Sequence, residues 1–364
     1  MLERGLYIHI PFCATKCTYC DFYSFTPRGE IIDEYLNATI RELDKYKDYK
    51  VNTLYIGGGT PSVLGERRLG YLLDEIWKRF GSFEEATIEA NPADNLLEFF
   101  KRAKKGGINR VSLGVQSAIP EELALLSRRH TNDDVLRAVA DCKTAGITNI
   151  SLDLMLGIPN QTQESLQKSI DFLCGLEPTH ISAYILKLEK GTPLFKAKDT
   201  LNLPDEDEVS DLYLTAVKLL KERGYNQYEI SNFAKNGCES KHNLLYWQGN
   251  EYIGIGASAH GYLNGKRYFY PRDIDAFLGG VSPTFDGEGG SLEEYLMLRL
   301  RLCEGVNYNT LSQRFNISCE NIKAKAQVLA KHRLITATEQ GFSLTPIGFL
   351  VSNSVILEIL NSIE

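Results

Sequence analysis

The stretch LYIHIPFCATKCTYCDF, residues 6–22, decides how this chain is read. Its first half, Leu6-Tyr7-Ile8-His9-Ile10-Pro11-Phe12, is a short apolar run of the kind a buried strand uses. Its second half sets Cys13, Cys17 and Cys20 on the loop that follows, spaced C-x3-C-x2-C. Three thiolates so close together can hold one iron–sulfur cluster. A cubane of four irons normally takes four cysteines. Three leave one iron open, and an open iron can bind a small molecule and act on it. The other readings of the triad fit less well. A structural zinc site wants four ligands, usually as two C-x2-C pairs, and there is no second pair. Disulfides of a secreted protein would call for a signal peptide, and none is read before the cysteines. The spacing also disfavours incidental core cysteines.

The spacing resembles that of the radical S-adenosylmethionine (SAM) superfamily. The resemblance implies that the methionyl amino and carboxylate groups of SAM occupy the open iron. One electron from the cluster would then split the sulfonium into methionine and a 5′-deoxyadenosyl radical.

Working outward, the chain of 364 residues is too long for one ordinary core, so one large and one smaller domain are expected. With 43% hydrophobic and 24% charged residues it has the make-up of a globular protein. The net charge of −7, with no block of lysine and arginine, argues against nucleic-acid binding. No apolar segment is long enough to span a bilayer, so membrane contact is expected to be peripheral at most. The remaining cysteines, Cys142, Cys174, Cys238, Cys303 and Cys319, are scattered, as in a reduced, cytoplasmic protein.

From residue 5 to about 190, β-rich runs alternate with stretches of helical period. The runs are Leu6–Ile10, Thr53–Ile56, Ala86–Ala90, Arg110–Val115, Ile150–Met155 and His180–Leu186. The helical stretches are Ile31–Tyr46, Gly65–Phe80, Asn95–Lys104, Asp133–Ala145 and Glu164–Leu173. Six βα repeats predict an α/β fold with a parallel sheet. Six fall short of the eight in a closed barrel, so a partial, open (β/α)6 barrel is expected over residues 1–200. Active sites in such sheets lie at the C-terminal ends of the strands, where the cysteine loop falls. A composition break at Asp199–Glu208 opens a linking region, 201–284, with a helix from about Val209 to Arg223. After the Gly/Pro-rich stretch Gly279–Gly290, residues 285–364 read as a small, mostly helical, winged-helix-like domain. Its helices are Leu292–Cys303, Tyr308–Phe315 and Glu320–Lys331, then a hairpin and a last helix from Pro346. Without a basic face it reads as a lid or interaction domain rather than a DNA reader.

Several residues cluster at strand ends. Gly57-Gly58-Gly59-Thr60-Pro61 closes the second strand, where glycines let the backbone approach a ligand or make a tight turn. Glu89 ends the third strand among apolar neighbours and needs a partner: a group of SAM, or a salt bridge inside the barrel. Gln116, Arg128 and Asp153 fall on successive repeats. They either bind a nucleoside or second substrate or satisfy one another as a buried network.

Together these segments resemble one subgroup, the oxygen-independent coproporphyrinogen III oxidases and their HemW-type haem-chaperone relatives. The resemblance is carried by YIHIPFC-x3-C-x2-CDF, LYIGGGTPS, IEANP, LGVQS, LSRRHTN, DLMLGIP, HISAYILKLEKGT, HNLLYW and GIGASAH, nearly the whole chain. It implies that Cys13, Cys17 and Cys20 ligate a [4Fe–4S] cluster, and that Tyr7, Gly58 and Glu89 hold a first SAM. Tyr19, Gly59, Thr60, Gln116, Arg128 and Asp153 correspond to contacts of a second SAM in the oxidase branch. Oxidases of the group carry C-x3-C-x2-C-x-C and a longer N-terminal extension; here Phe22 stands where the extra cysteine would be, and Cys13 comes early. The chaperone branch shows the motif H-N-x-x-Y-W, present as His242–Trp247. A histidine can ligate haem iron and aromatic rings can pack on a porphyrin. The alternative is that His242 is a satisfied interdomain histidine and Trp247 a core residue. The branch therefore implies a haem chaperone, with haem as cargo, haem apoproteins including membrane-bound respiratory enzymes as acceptors, an electron donor, and a homodimer as one form. The other reading is an oxygen-independent coproporphyrinogen III oxidase.

Overall fold

The computed structural model describes residues 3–363. Strands and helices alternate through the first half of the chain, as the periodicity predicts. The order is β1 (Gly5–Ile10), α1 (Ile31–Leu43), β2 (Thr53–Gly58), α2 (Gly65–Phe80), β3 (Glu85–Ala90), α3 (Leu97–Lys105), β4 (Arg110–Gln116), α4 (Pro120–Leu125), α5 (Asn132–Thr144), β5 (Asn149–Leu156), α6 (Gln163–Gly175) and β6 (His180–Ile185). Strands β1 to β6 lie side by side in that order, all parallel. Parallel neighbours need a crossover connection, and the helices provide it. The short helix α4 is not legible from period; Pro120 at its first turn starts it.

Each strand has two sets of alternating side chains. One set, including Leu6, Ile8, Leu54, Ile56, Ile88, Val111, Leu113, Leu152, Leu154 and Ile181, is buried in the main core, where Leu69, Leu72, Leu73 and Ile76 of α2 also lie. The alternate set is polar: Tyr7 and His9 on β1, Tyr55 on β2, Thr87 and Glu89 on β3, Arg110 and Ser112 on β4, Asp153 on β5, and His180, Ser182 and Tyr184 on β6. This set belongs to the concave face. So the barrel interior is polar.

The next segment lengthens the sheet at both edges. It runs α7 (Pro193–Ala197), α8 (Glu206–Glu222), β7 (Asn226–Gln227), β8 (Asn232–Ala234), α9 (Lys241–Trp247), β9 (Tyr252–Ile255), β10 (His260–Leu263), β11 (Lys266–Phe269), α10 (Ile274–Leu278) and β12 (Thr284–Glu288). Helix α8 starts at Glu206, earlier than its apolar period, because Asp205 and Glu208 form a capping box. Strands β8 and β7 extend the β6 edge antiparallel; β9 pairs parallel with β1, and β10 to β12 follow antiparallel. The resulting order, β12-β11-β10-β9-β1-β2-β3-β4-β5-β6-β8-β7, leaves the sheet unclosed.

The chain ends in α11 (Leu292–Arg299), β13 (Val306–Asn307), α12 (Tyr308–Phe315), α13 (Glu320–Lys331), β14 (Ile335–Ala337), β15 (Gly341–Leu344), α14 (Pro346–Leu350) and α15 (Ser352–Leu360). The expected hairpin is present, and β13 adds a third strand to it. The single last helix expected from Pro346 is two, broken at Val351. No helix among the described residues is long and apolar enough to cross a membrane.

Candidate cluster and cofactor site

The cysteine loop is pinned at its base. Phe12 and Phe25 form an isolated bridge, with Cys13 N–H donating to Phe25 O at 3.0 Å and Phe25 N–H to Pro11 O at 3.0 Å. The end of β2 closes on the same loop: Gly59 N–H donates to Ile10 O (2.8 Å) and Thr60 N–H to Phe12 O (2.7 Å). A Cβ at Gly59 would lie 2.6 Å from Phe12 O, so only glycine allows this approach. Gly57 makes room in turn for the carboxyl of Glu89, 2.8 Å from where its Cβ would be. The glycine run thus serves packing between the two loops as well as turning the chain.

All three thiols are free; Cys13 is buried and Cys17 and Cys20 half-buried. Thr60 Oγ1 donates to Cys13 Sγ at 3.5 Å, and Arg128 Nη1 to Cys17 Sγ at 3.4 Å. Burial raises the Cys20 thiol above its ordinary range, so the positive charge of bound metal would be what holds it deprotonated. Among the described residues no three His, Cys, Asp or Glu side chains converge on one ion position. A cubane takes each thiolate on a different iron, and the loop carries three free thiols. The donor set fits a cluster.

Beside the loop opens a cavity of about 640 Å³, a usual size for a small-molecule site. Its wall includes Cys13, Cys17, Tyr19, Cys20, Gly58, Gly59, Thr60, Glu89, Gln116, Arg128 and Asp153. Glu89 accepts from Tyr55 Oη (2.7 Å) and Gly58 N–H (3.0 Å). Burial lifts its carboxyl above the usual range, while those two bonds and the charge of Arg110 pull the other way. Asp153 accepts from Ser112 Oγ at 3.1 Å, and burial, aided by Glu89, pushes it up to about 7. Gln116 sits at a register shift between β4 and β5 with φ of 74°, a left-handed conformation costly for a non-glycine residue. Tyr184 Oη donates to its side-chain oxygen at 2.6 Å. Arg128 donates to Gly114 O, and its Nε is buried without a partner, a donor free for an anionic group of a ligand.

Tyr7 and His242 are held by partners inside the barrel. The Tyr7 hydroxyl is 2.9 Å from His9 Nδ1. His242 lies in the barrel floor, fully buried, with Nδ1 2.7 Å from Thr53 Oγ1 and Nε2 2.7 Å from Tyr246 Oη. Burial lowers its pKa to about 3. With both ring nitrogens hydrogen-bonded, His242 has the surroundings of the satisfied histidine that was the alternative to a haem ligand. Glu85 explains why the motif faces this way: its carboxylate accepts from Ser240 Oγ and from the backbone N–H of Lys241 and His242, anchoring the start of α9. The neighbouring Asn243, unlike His242, lines the cavity. Tyr55, Ser112, Ser182 and Tyr184 also line it, and their alternate positions on β2, β4 and β6 are the sequence signal that points to them.

Comparison with known proteins fits this geometry. Residues 7–173 match the radical SAM superfamily, and residues 291–351 match the HemN C-terminal domain. The chain is 36% identical over 99% of its length to a protein of Lactococcus lactis named heme chaperone HemW, covering 98% of that protein. It is 35% identical to the Bacillus subtilis protein of the same name, over 97% of this chain and 98% of that one. The chain belongs to the HemW family. Membership of the radical SAM superfamily implies a [4Fe–4S] cluster and SAM. A solved structure, the coproporphyrinogen III oxidase HemN of Escherichia coli, superposes with a TM-score of 0.83 over 98% of this chain and 90% of its own, at 21% identity. That likeness speaks to the fold, which this HemW-family chain shares with the oxidase.

Proposed function

We propose that this chain binds haem and delivers it to haem apoproteins, and that Cys13, Cys17 and Cys20 hold a [4Fe–4S] cluster beside a SAM site. The observation that carries the first part is kinship: over nearly its whole length the chain matches proteins named heme chaperone HemW. Phe22, in place of the additional cysteine of the oxidases, favours the same branch; it is 69% exposed at the cavity mouth. When bound, the cluster supplies one-electron chemistry at its open iron. The residues do the rest. Gly58 and Glu89 offer a backbone and a carboxylate to the amino and hydroxyl groups of SAM. Arg128 presents its unpartnered Nε to a carboxylate while its Nη1 steadies the Cys17 thiolate. Tyr55 and Tyr184 fix the orientation of Glu89 and Gln116. Tyr19, Gly59, Thr60 and Asp153 complete a wall with room for a second molecule. The C-terminal domain serves as a lid or interaction surface toward acceptors, among them respiratory enzymes, and an electron donor and a second copy of the chain are further partners.

Glu89→Gln is expected to weaken SAM binding to the cluster-loaded protein by about 1.5–3 kcal/mol, the usual loss of a hydrogen bond to a charged group. Calorimetry reads this directly, and wild-type affinity would assign Glu89 to internal packing alone. For the main proposal, the protein is expected to bind haem with a Soret band and to pass it to an apoprotein. With SAM and a low-potential reductant it should leave coproporphyrinogen III unconverted. Repeated turnover of that substrate without haem transfer would replace the chaperone reading with the oxidase one.

A further inference from the structure

We infer that Arg128 is a positioning residue that raises the reduction potential of the cluster through a charged hydrogen bond to Cys17. The inference rests on the cluster reading above and goes beyond it. Each of the three loop sulfurs meets a donor, and the donors differ. Thr60 Oγ1 lies 3.5 Å from Cys13 Sγ, and the backbone N–H of Phe22 reaches Cys20; both donors are neutral. Arg128 Nη1 donates to Cys17 Sγ at 3.4 Å and brings a full positive charge. Reduction of a four-iron cluster adds one electron, taken from an external low-potential reductant, and no atom leaves. The added negative charge is shared with the ligand sulfurs. A cation bonded to one of them stabilises the reduced form more than the oxidised one, which raises the potential. Water and salt screen this charge weakly, because Arg128 Nε is buried.

Arg128 is held in place by more than its contact with sulfur. Past the end of α4, Ser127 takes a left-handed conformation with φ of 54°, costly for a non-glycine residue. Ser127 N–H donates to Ala124 O at 3.0 Å and Arg128 N–H to Leu123 O at 2.9 Å, the pair of bonds that closes a helix C-terminus. The chain so turned carries the guanidinium to β4, where Nη2 donates to Gly114 O. A Cβ at Gly114 would lie 3.2 Å from Nη2, so glycine leaves the guanidinium its room. The cysteine loop docks on the same turn, with Thr18 Oγ1 donating to Leu125 O at 2.9 Å. Cys17 and Arg128 are thus brought together by anchors besides their own bond. Arg129 makes the contrast: its side chain is 40% exposed and pairs with Asp94 at 3.1 Å.

The full chain, reconstituted anaerobically and kept free of SAM, is titrated with titanium(III) citrate, and the four-iron signal is followed by electron paramagnetic resonance. Leaving SAM out removes any part Arg128 has in holding it. Arg128→Met should keep its iron and sulfide and lower the reduced-to-oxidised ratio at a given potential by about tenfold or more, a midpoint about 59 mV lower for one electron. Arg128→Lys, which keeps the charge, should recover most of the difference. Arg129→Met, which removes the same charge from an exposed ion pair, should match wild type. Arg128→Met at the wild-type potential, or Arg129→Met shifted as far, would overturn the inference. So would loss of the cluster from both Arg128 variants, which would make the residue a structural support. If wild type takes up no four-iron cluster, the cluster reading fails and the inference falls with it.

Discussion

Replacing Arg110 with Met is expected to destabilise the cluster-free protein by roughly 2–4 kcal/mol above pH 8, and by much less near pH 5. Arg110 opens β4 and is among the largest fully buried side chains. Its Nε is buried without a hydrogen-bond partner. Its charge nevertheless reaches Glu89 and Asp153, lowering the pKa of both. It also reaches Tyr55, Tyr228, His180 and His242 on the neighbouring elements. At an effective dielectric near 20, a unit charge one side chain away is worth roughly 2 kcal/mol to each carboxylate. Without Arg110, both carboxyls bind protons more tightly in the folded chain than they already do. A carboxyl with a raised folded pKa loses stability as pH rises from its unfolded to its folded value. The cost of the substitution should therefore grow with pH, and adding Glu89→Gln and Asp153→Asn should remove the growth. Denaturant unfolding at pH 5 and pH 8.5 reads both. An equal loss at the two pH values would reduce Arg110 to a packing element.

Asp153→Asn should do the opposite, stabilising the cluster-free protein at pH 8 by up to about 4 kcal/mol. The buried Asp153 carboxyl titrates at about 7, driven up first by burial and then by Glu89, against about 3.9 in an unfolded chain. Between about pH 4 and pH 7 the unfolded chain gives up this proton and the folded chain keeps it. Wild-type stability should fall across that window, and the fall should vanish in Asp153→Asn. Overlapping slopes for the two proteins would contradict it. Such a group persists in a fold when its site needs it, so the same substitution should weaken binding of cationic SAM.

The framework was legible because parallel βα units write themselves as alternating periods, and because loops at strand C-termini collect the chemistry. Cys13, Gly58, Glu89, Gln116 and Asp153 all lie within or just beyond the last four residues of a strand. What could not be read is which way a helix turns. The segment His242–Trp247 has one buried face and one facing the cavity, and only the anchoring of its start on Glu85 sends His242 down and Asn243 up. The seven-stranded parallel run is also hidden in the sequence, because β9 pairs with β1 across a separation of 247 residues, as between Gly5 and Tyr252. In sequence Arg110 looks like an ordinary charged strand end; it is buried, and the groups its charge reaches include Tyr228 and His242, far along the chain.

The central claim is that three thiols hold a four-iron cluster with one iron left for SAM. The most direct measurement is electron paramagnetic resonance of the anaerobically reconstituted, reduced protein with and without SAM, alongside iron and sulfide content of Cys13→Ala, Cys17→Ala and Cys20→Ala. The account predicts about four irons per chain, a four-iron signal that changes on adding SAM, and loss of the cluster in each variant. A signal indifferent to SAM, wild-type iron content in all three variants, or stoichiometric zinc in place of iron would contradict it.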